Sequence, residues 1–199
     1  MTKVAIVYYS FTGHGTAMAK RLASTAESLG AEVRLRPIAD DTPADRIAAI
    51  PPAAANAAEV AEYPVATPED LEWADVVVFG SPTRYSAVTH QFQAFIDTLG
   101  PLWGQGKLAD KVYTAFTSSQ TLHGGQESTL IHINTMVAHF GGILVTPGYT
   151  DPTKFVDGNP YGTSHATGPE NTEPLSEATL AALDVQVTRA IAVSRRLGA

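Results

Sequence analysis

Short, continuous apolar runs are the clearest pattern along this chain. Residues 4–9 and 76–80 are almost entirely apolar, which is typical of strands covered on both faces. Residues 112–117 and 142–146 indicate two further strands, and residues 32–36 alternate between charged and apolar side chains, as a strand near a sheet edge does. The pattern therefore predicts five strands.

Apolar residues at helical spacing occupy most of the intervals between these strands. This spacing predicts helices over residues 16–29, 88–99, 126–140 and 175–197. Gly30 follows the first of them and is a typical helix-ending residue.

Two intervals lack a regular pattern. Residues 40–70 are rich in Ala and Pro, and we expect a long, partly helical connection there, with a short helix near Ile47 that Pro51 and Pro52 break. Residues 147–174 contain many Gly, Pro and Thr residues and are expected to form a long loop.

The alternation of strands and helices predicts an α/β fold. We expect a doubly wound five-stranded parallel sheet between two layers of helices, in a single domain over residues 1–199. In such sheets, ligands bind beyond the carboxyl ends of the strands, at the point where the strand order reverses. The loops after the first, third and fourth strands are therefore the candidate site.

Composition narrows the chemistry of that site. The chain has 199 residues, a net charge of −7 and no cysteine, so a thiolate metal site, a disulfide framework and thiol catalysis are excluded. Any redox electrons would have to sit on a bound cofactor. The acidic balance argues against nucleic acid as a partner. No apolar run approaches the length of a membrane span and no signal-like segment is visible, so we expect a cytoplasmic protein without a membrane or metal partner.

The first candidate loop joins the first strand to the first helix. Its hydroxyls and glycine amides, together with the helix N-terminus, could hold a phosphate. It has no lysine and matches neither the triphosphate nor the dinucleotide glycine pattern, which favours a monophosphate. A helix cap without a ligand stays open as the alternative. The candidate residues are Ser10, Phe11, Thr12, Gly13, His14, Gly15 and Thr16.

The other two loops offer complementary groups. After the third strand come Pro82, Thr83, Arg84 and Tyr85, which supply several donors and a ring on which a flat ligand could rest. After the fourth strand comes a loop with no acid before Glu127, whose amides could stabilise negative charge. Its candidate residues are Ser118, Ser119, Gln120, Thr121, Gly124 and Gly125. For each loop alone, an ordinary surface turn remains an alternative.

Taken together, these segments resemble the flavodoxin-like WrbA family of NAD(P)H:quinone oxidoreductases over nearly the whole chain. The motifs that carry the resemblance are Tyr8-Tyr9-Ser10 with Gly13-His14, Ser81-Pro82-Thr83-Arg84-Tyr85, Gly124-Gly125-Gln126-Glu127, Leu102-Trp103 and Gly158-Asn159-Pro160-Tyr161-Gly162. The resemblance implies a flavodoxin-like three-layer sandwich that binds FMN, with its phosphate on the first loop, its ribityl chain and ring edge near the second, and its pyrimidine side near the third. It further implies that NADH or NADPH and a quinone use one face of the flavin in turn.

The resemblance also implies a homotetramer with sites near subunit boundaries. Trp103 would then form a wall of the acceptor pocket, and Thr12 and His139 would contact the substrate. Three positions depart from the family pattern. Thr12 replaces a common Tyr, Ser86 replaces the usual Gly, and Phe140 replaces the second His of a His-His-Gly motif, where we still expect a ring close to the flavin.

Other functions remain open from the sequence. A flavodoxin-like one-electron carrier is the main alternative, although the acid-free third loop differs from the acidic loops of many such carriers. An FMN or azo-dye reductase on the same fold and an interaction protein without a cofactor are the others. Proton donors to a reduced quinone could be His14, Tyr85 or His123. No arginine cluster indicates a choice between NADH and NADPH.

Overall fold

The computed structural model, which describes residues 1–198, contains one parallel sheet in the order β2-β1-β3-β4-β5, with β6 also paired to β4. The strands are β1 Lys3–Tyr8, β2 Glu32–Pro37, β3 Val76–Pro82, β4 Val112–Ser119, β5 Ile143–Leu144 and β6 Thr163–Ala166. The helices are α1 His14–Ser28, α2 Ala44–Ala48, α3 Pro51–Val60, α4 Pro68–Trp73, α5 His90–Asp97, α6 Gly100–Gly104, α7 Gln126–Phe140, α8 Thr153–Asp157 and α9 Glu177–Leu197.

Helices cover both faces of the sheet, as the continuous apolar runs predict. Successive side chains of β1 point to opposite faces: Ile6 packs with Met18 of α1 and Val187 of α9, whereas Val7 lies in the cluster that includes Phe92 of α5. The predicted α/β sandwich with a parallel sheet is therefore confirmed.

The structure adds a sixth strand to the five that were predicted. The outer partner of β4 is divided in two, because β5 pairs only with Val112 and Tyr113 whereas β6 pairs with residues 116–119. The connection between β5 and β6 carries α8. A buried ion pair between Lys154 and Asp157 stabilises it, and Lys154 also donates to Gly162 O at 3.2 Å. The expectation of a structureless loop over residues 147–174 is therefore wrong.

The long connection between β2 and β3 contains three helices. The predicted short helix near Ile47 is α2, which ends before Pro51. Pro51 and Pro52 also begin α3, a helix that was not predicted. They can do so because a proline in the first helical turn needs no N–H donor and already has a helical φ. α3 brings Asn56 back to the first loop, and the role of that residue is described below.

Among residues 1–198, no helix is both long enough and apolar enough to cross a membrane.

Candidate functional site

The loops that follow β1, β3 and β4 meet at the carboxyl edge of the sheet and enclose a cleft of about 450 Å³. This volume is within the range of small-molecule sites. The sequence-predicted residues that line it are Ser10, Phe11, Thr12, His14, Gly15, Pro82, Thr83, Arg84, Tyr85, Ser118, Ser119, Gln120, Thr121 and Gly124. Thr167 and Asn171 also line the cleft, and the sequence analysis missed both.

The N-terminus of α1 opens into the first loop without a side-chain cap. Its N-cap, Gly13, has a φ of 98°, which glycine adopts readily, and no acidic residue lies in the first turn. The first intrahelical hydrogen bond runs from Ala17 N–H to Gly13 O. The N–H groups of His14, Gly15 and Thr16 therefore precede the helical ladder, and together they favour an anion.

Asn56 of α3 stabilises the conformation of the first loop through hydrogen bonds. Its side-chain amide donates to Ser10 O at 2.8 Å, and its oxygen accepts from Thr16 Oγ1 at 2.6 Å. Asn56 is 5% exposed. The hydroxyl of Thr16 is thus committed to this support and its side chain does not line the cleft, so only its backbone N–H remains for the predicted contact with a ligand. Gly13 likewise shapes the turn without lining the cleft.

One histidine of the cleft, His14, packs against a second histidine that lies outside the cleft lining. His14 stacks on His165 of β6 with ring centroids 5.5 Å apart, and His165 Nε2 lies 2.9 Å from Glu173 O. Burial and, secondarily, the neighbouring His165 lower the pKa of His14, and burial lowers the pKa of His165. Nδ1 of His14 is buried and has no hydrogen-bond partner among the described residues, so a ligand with polar groups would fit here.

The second loop is a two-residue turn between Arg84 and Ala87, which exchange backbone hydrogen bonds of 2.8 and 3.1 Å. Its central residues, Tyr85 and Ser86, have φ values of 52° and 71°. Such turns favour glycine, so Ser86 holds a backbone conformation that glycine would adopt more readily. The turn leaves the ring of Tyr85 fully exposed at the rim of the cleft.

The third loop packs tightly onto the second. Ser119 Oγ donates to Thr121 O at 2.7 Å, and Gln126 Nε2 donates to the same oxygen at 3.2 Å. Gly125, the N-cap of α7, has a φ of 91°, and a Cβ at this position would lie 2.9 Å from Ser86 Cα. Gly125 does not line the cleft itself, but it sets the spacing between the two loops.

Trp103, His139 and Phe140 lie far from this cleft, at the opposite edge of the sheet. Trp103 Nε1 donates to His139 O at 2.9 Å, and the ring of Phe140 lies 6.1 Å from that of Tyr113. Tyr113 is at the start of β4 and Ser119 at its end, a distance of ~20 Å at roughly 3.3 Å per residue. α7 runs back along the sheet, so its last residues lie at the amino edge. Within its own chain, Phe140 therefore lies at the opposite edge of the sheet from the cleft, and its contact with FMN stays a prediction.

The fold and the cleft define a class of protein: a flavodoxin-like α/β protein with an acid-free, donor-rich cleft that suits a phosphorylated ligand. A family model described as NADPH-dependent FMN reductase matches residues 2–152. A crystal structure of a WrbA-like flavodoxin protein from Agrobacterium tumefaciens superimposes with a TM-score of 0.68 at 25% identity, covering 98% of this chain and 99% of that chain.

Curated relatives make the assignment more specific. An NAD(P)H dehydrogenase (quinone) from Deinococcus radiodurans is 45% identical over 98% of this chain and 96% of its own length. A protein of the same name from Geotalea uraniireducens is 36% identical over 98% of both chains. The chain therefore belongs to the NAD(P)H dehydrogenase (quinone) family, which confirms the WrbA-type resemblance.

Proposed function

We propose that this protein binds FMN in the cleft and catalyses the two-electron reduction of quinones with NADH or NADPH as hydride donor. One observation carries the proposal. The chain has 20 Asp and Glu residues, yet the cleft lining, within the described residues 1–198, contains none of them and has Arg84 as its one charged side chain. Such a lining favours a ligand that carries a phosphate and gains further negative charge on reduction.

The binding residues follow from the position of each loop. The uncapped N-terminus of α1, with Ser10 and Thr12, would hold the phosphate. Thr83, Arg84 and Tyr85 would contact the ribityl chain and the ring edge. Residues 118–124 would lie along the pyrimidine side, where their amides and hydroxyls favour negative charge. Phe11 and Pro82 supply apolar surface to the same cleft.

When bound, FMN supplies the capacity to accept a hydride from a nicotinamide and to pass it on to a quinone. The protein's own residues supply position and charge. Thr83 is fixed by the hydroxyl of Thr129, which donates to Thr83 Oγ1 at 2.8 Å, and by its own N–H, which donates to Ser118 O at 2.8 Å. The second and third loops are thereby joined across the cleft floor, which keeps the donors in fixed positions.

A reduced quinone also needs protons, and the exposed rim offers donors for them. The hydroxyl of Tyr85 on the second loop and the imidazole of His123 on the third loop are both open to solvent. His14 carries a proton to donate less often than an ordinary histidine does, because burial and the neighbouring His165 lower its pKa. We therefore assign proton delivery to the rim and solvent rather than to His14.

Trp103 and His139, at the amino edge of the sheet, would contribute to the site of a neighbouring subunit. Trp103 is 58% exposed, and the separation along β4 keeps it and His139 away from the cleft of their own chain. In the homotetramer that we propose, they would form a wall of a partner's acceptor pocket. We further propose that residues 1–199 form one domain and that the protein is cytoplasmic.

A one-electron carrier and an FMN or azo-dye reductase are the alternatives. The acid-free cleft favours full two-electron reduction over the carrier. Steady-state assays of the FMN-loaded protein with NADH or NADPH, using benzoquinone, free FMN and an azo dye as acceptors, separate the three. Our proposal requires benzoquinone to be reduced with the highest kcat/KM.

A charge substitution tests whether the absence of acidic side chains from the cleft is needed for quinone reduction. Gln120 lines the cleft, and Gln120→Glu introduces a carboxylate of nearly the same shape. We expect a several-fold loss of kcat/KM for benzoquinone, since a unit charge at a partly screened site is worth about 1 kcal/mol. Gln93→Glu, on α5 and outside the cleft lining, is the matched control and should leave the rate unchanged. Equal rates for both variants would contradict the proposal.

A further inference from the structure

The segment between β6 and α9 turns back over the cleft and contacts the first loop. Within it, Thr167 and Asn171 line the cleft together with Thr12 of the first loop. Thr167 Oγ1 donates to Asn171 Oδ1 at 2.7 Å, and Asn171 Nδ2 donates to Thr12 Oγ1 at 3.0 Å. The three side chains thus form a hydrogen-bonded row that joins residues 159 positions apart.

The backbone fixes the position of this row. Thr167 N–H donates to Ser119 O at 2.8 Å, and Glu173 N–H donates to Thr167 O at 2.9 Å, so the segment is attached to the end of β4. Asn171 N–H donates to Gly168 O at 3.0 Å and closes a turn. The φ of Asn171 is 56°, a conformation that asparagine tolerates better than most other residues.

The donors and acceptors of the two hydrogen bonds in this row determine whether the Thr12 hydroxyl can donate to a ligand. A hydroxyl has one proton to donate and two lone pairs that accept. Thr12 Oγ1 already accepts from Asn171, and among the described residues its own proton has no acceptor. This proton is therefore free for an acceptor in the cleft. An asparagine is required in the middle, because it must accept from Thr167 and donate to Thr12 at the same time.

We propose that Asn171 is a positioning residue that presents the hydroxyl of Thr12 as a hydrogen-bond donor to the FMN phosphate, with Thr167 fixing the orientation of the Asn171 amide. This inference rests on the proposed function, since it needs FMN to bind in this cleft. It assigns a role in cofactor selection to a segment outside the three loops. The row acts on the phosphate and not on the flavin ring.

The test compares FMN with riboflavin, which has the same ring system and no phosphate. The full-length apoprotein is titrated with each, and the quenching of flavin fluorescence gives Kd. Asn171→Gly removes the side chain without penalising the positive φ, and Thr12→Val removes the hydroxyl at nearly constant shape. Each should raise the Kd for FMN about twofold to tenfold and leave the Kd for riboflavin unchanged within twofold.

Two further variants test the direction of the row. The carboxylate of Asn171→Asp offers only acceptors, so the Thr12 hydroxyl would donate its hydrogen bond to it and not to the phosphate. The variant also adds a negative charge, and the Kd for FMN should therefore rise by more than about tenfold. Thr12→Ser keeps the hydroxyl and should retain the affinity of the natural protein. Combining Thr12→Val with Asn171→Gly should weaken FMN binding no more than the stronger single change, because both remove the same donor.

The possible failures are distinguishable. If the natural protein binds FMN and the Asn171 variants bind it within twofold of the same Kd, the inference is wrong. It is equally wrong if the affinities for FMN and riboflavin fall together, since that indicates a general structural role. If the natural protein binds neither flavin, the proposed function itself is refuted, and this inference with it. Thermal unfolding of each variant verifies that the fold is retained.

Discussion

Gly125 sets the spacing between the second and third loops, and Gly125→Ala tests this arrangement with one added methyl group. The new Cβ would lie 2.9 Å from Ser86 Cα and would have to be accommodated at a φ of 91°. The φ alone costs about 1–2 kcal/mol, reduced by about 0.4–1 kcal/mol through the lower entropy of the unfolded chain. Overpacking against a backbone atom adds about 1–3 kcal/mol.

Gly30→Ala is the matched control for this prediction. Gly30 has a similar φ of 75°, but a Cβ there would meet nothing within 4 Å. The difference between the two variants therefore isolates the contact with Ser86. For a chain of this length, we expect the melting temperature of the Gly125 variant to be lower than that of the Gly30 variant by roughly 2–10 °C.

FMN titration provides the functional half of the assay. Displacing the Tyr85–Ser86 turn should weaken FMN binding in the Gly125 variant, whereas the Gly30 variant should bind as the natural protein does. Equal melting temperatures for the two variants, together with unchanged FMN affinity in both, would refute the spacing argument.

Two further predictions concern the connection that carries β6. Lys154→Ala should lower the free energy of unfolding by about 3–5 kcal/mol in urea, because Asp157 would remain buried without its partner; Lys20→Ala, which breaks an exposed pair, should cost about 1 kcal/mol or less. Because the pKa of His165 is lowered in the folded protein, the unfolded chain binds more protons than the folded protein below pH ~6.5. The contribution of His165 to stability should therefore be complete above that pH and should be lost as the pH drops through the folded-state pKa. His165→Gln should flatten this dependence, whereas His123→Gln at an exposed position should not; identical pH profiles for the two variants would contradict it.

Much of the fold was predictable because the strands that carry it are apolar on both faces. β1 and β3 are continuous apolar runs, and the loops after them are rich in Gly and hydroxyl side chains, so their meeting at one edge followed from the alternation of elements. Pro51 correctly indicated the end of α2, but the start of α3 was missed because a proline is compatible both with the end of one helix and with the start of the next.

The sixth strand and the supporting asparagines were not predictable in the same way. β6 is the polar sequence Thr-Ser-His-Ala, which has no apolar periodicity and pairs through its backbone alone. Asn56 and Asn171 act through hydrogen bonds to residues 40 or more positions away, and no local pattern indicates such a partner. The distance of Phe140 from the cleft of its own chain was not predictable, because the expectation came from a resemblance that describes an assembly rather than one chain.

A crystal structure of the protein grown with FMN tests the central claim most directly. We predict electron density for the phosphate at the N-terminus of α1, beside Thr12, and density for the ring between the turn at Tyr85 and the loop over residues 118–124. Density for the flavin at another surface, or a cleft that holds only solvent at saturating FMN, would contradict this account.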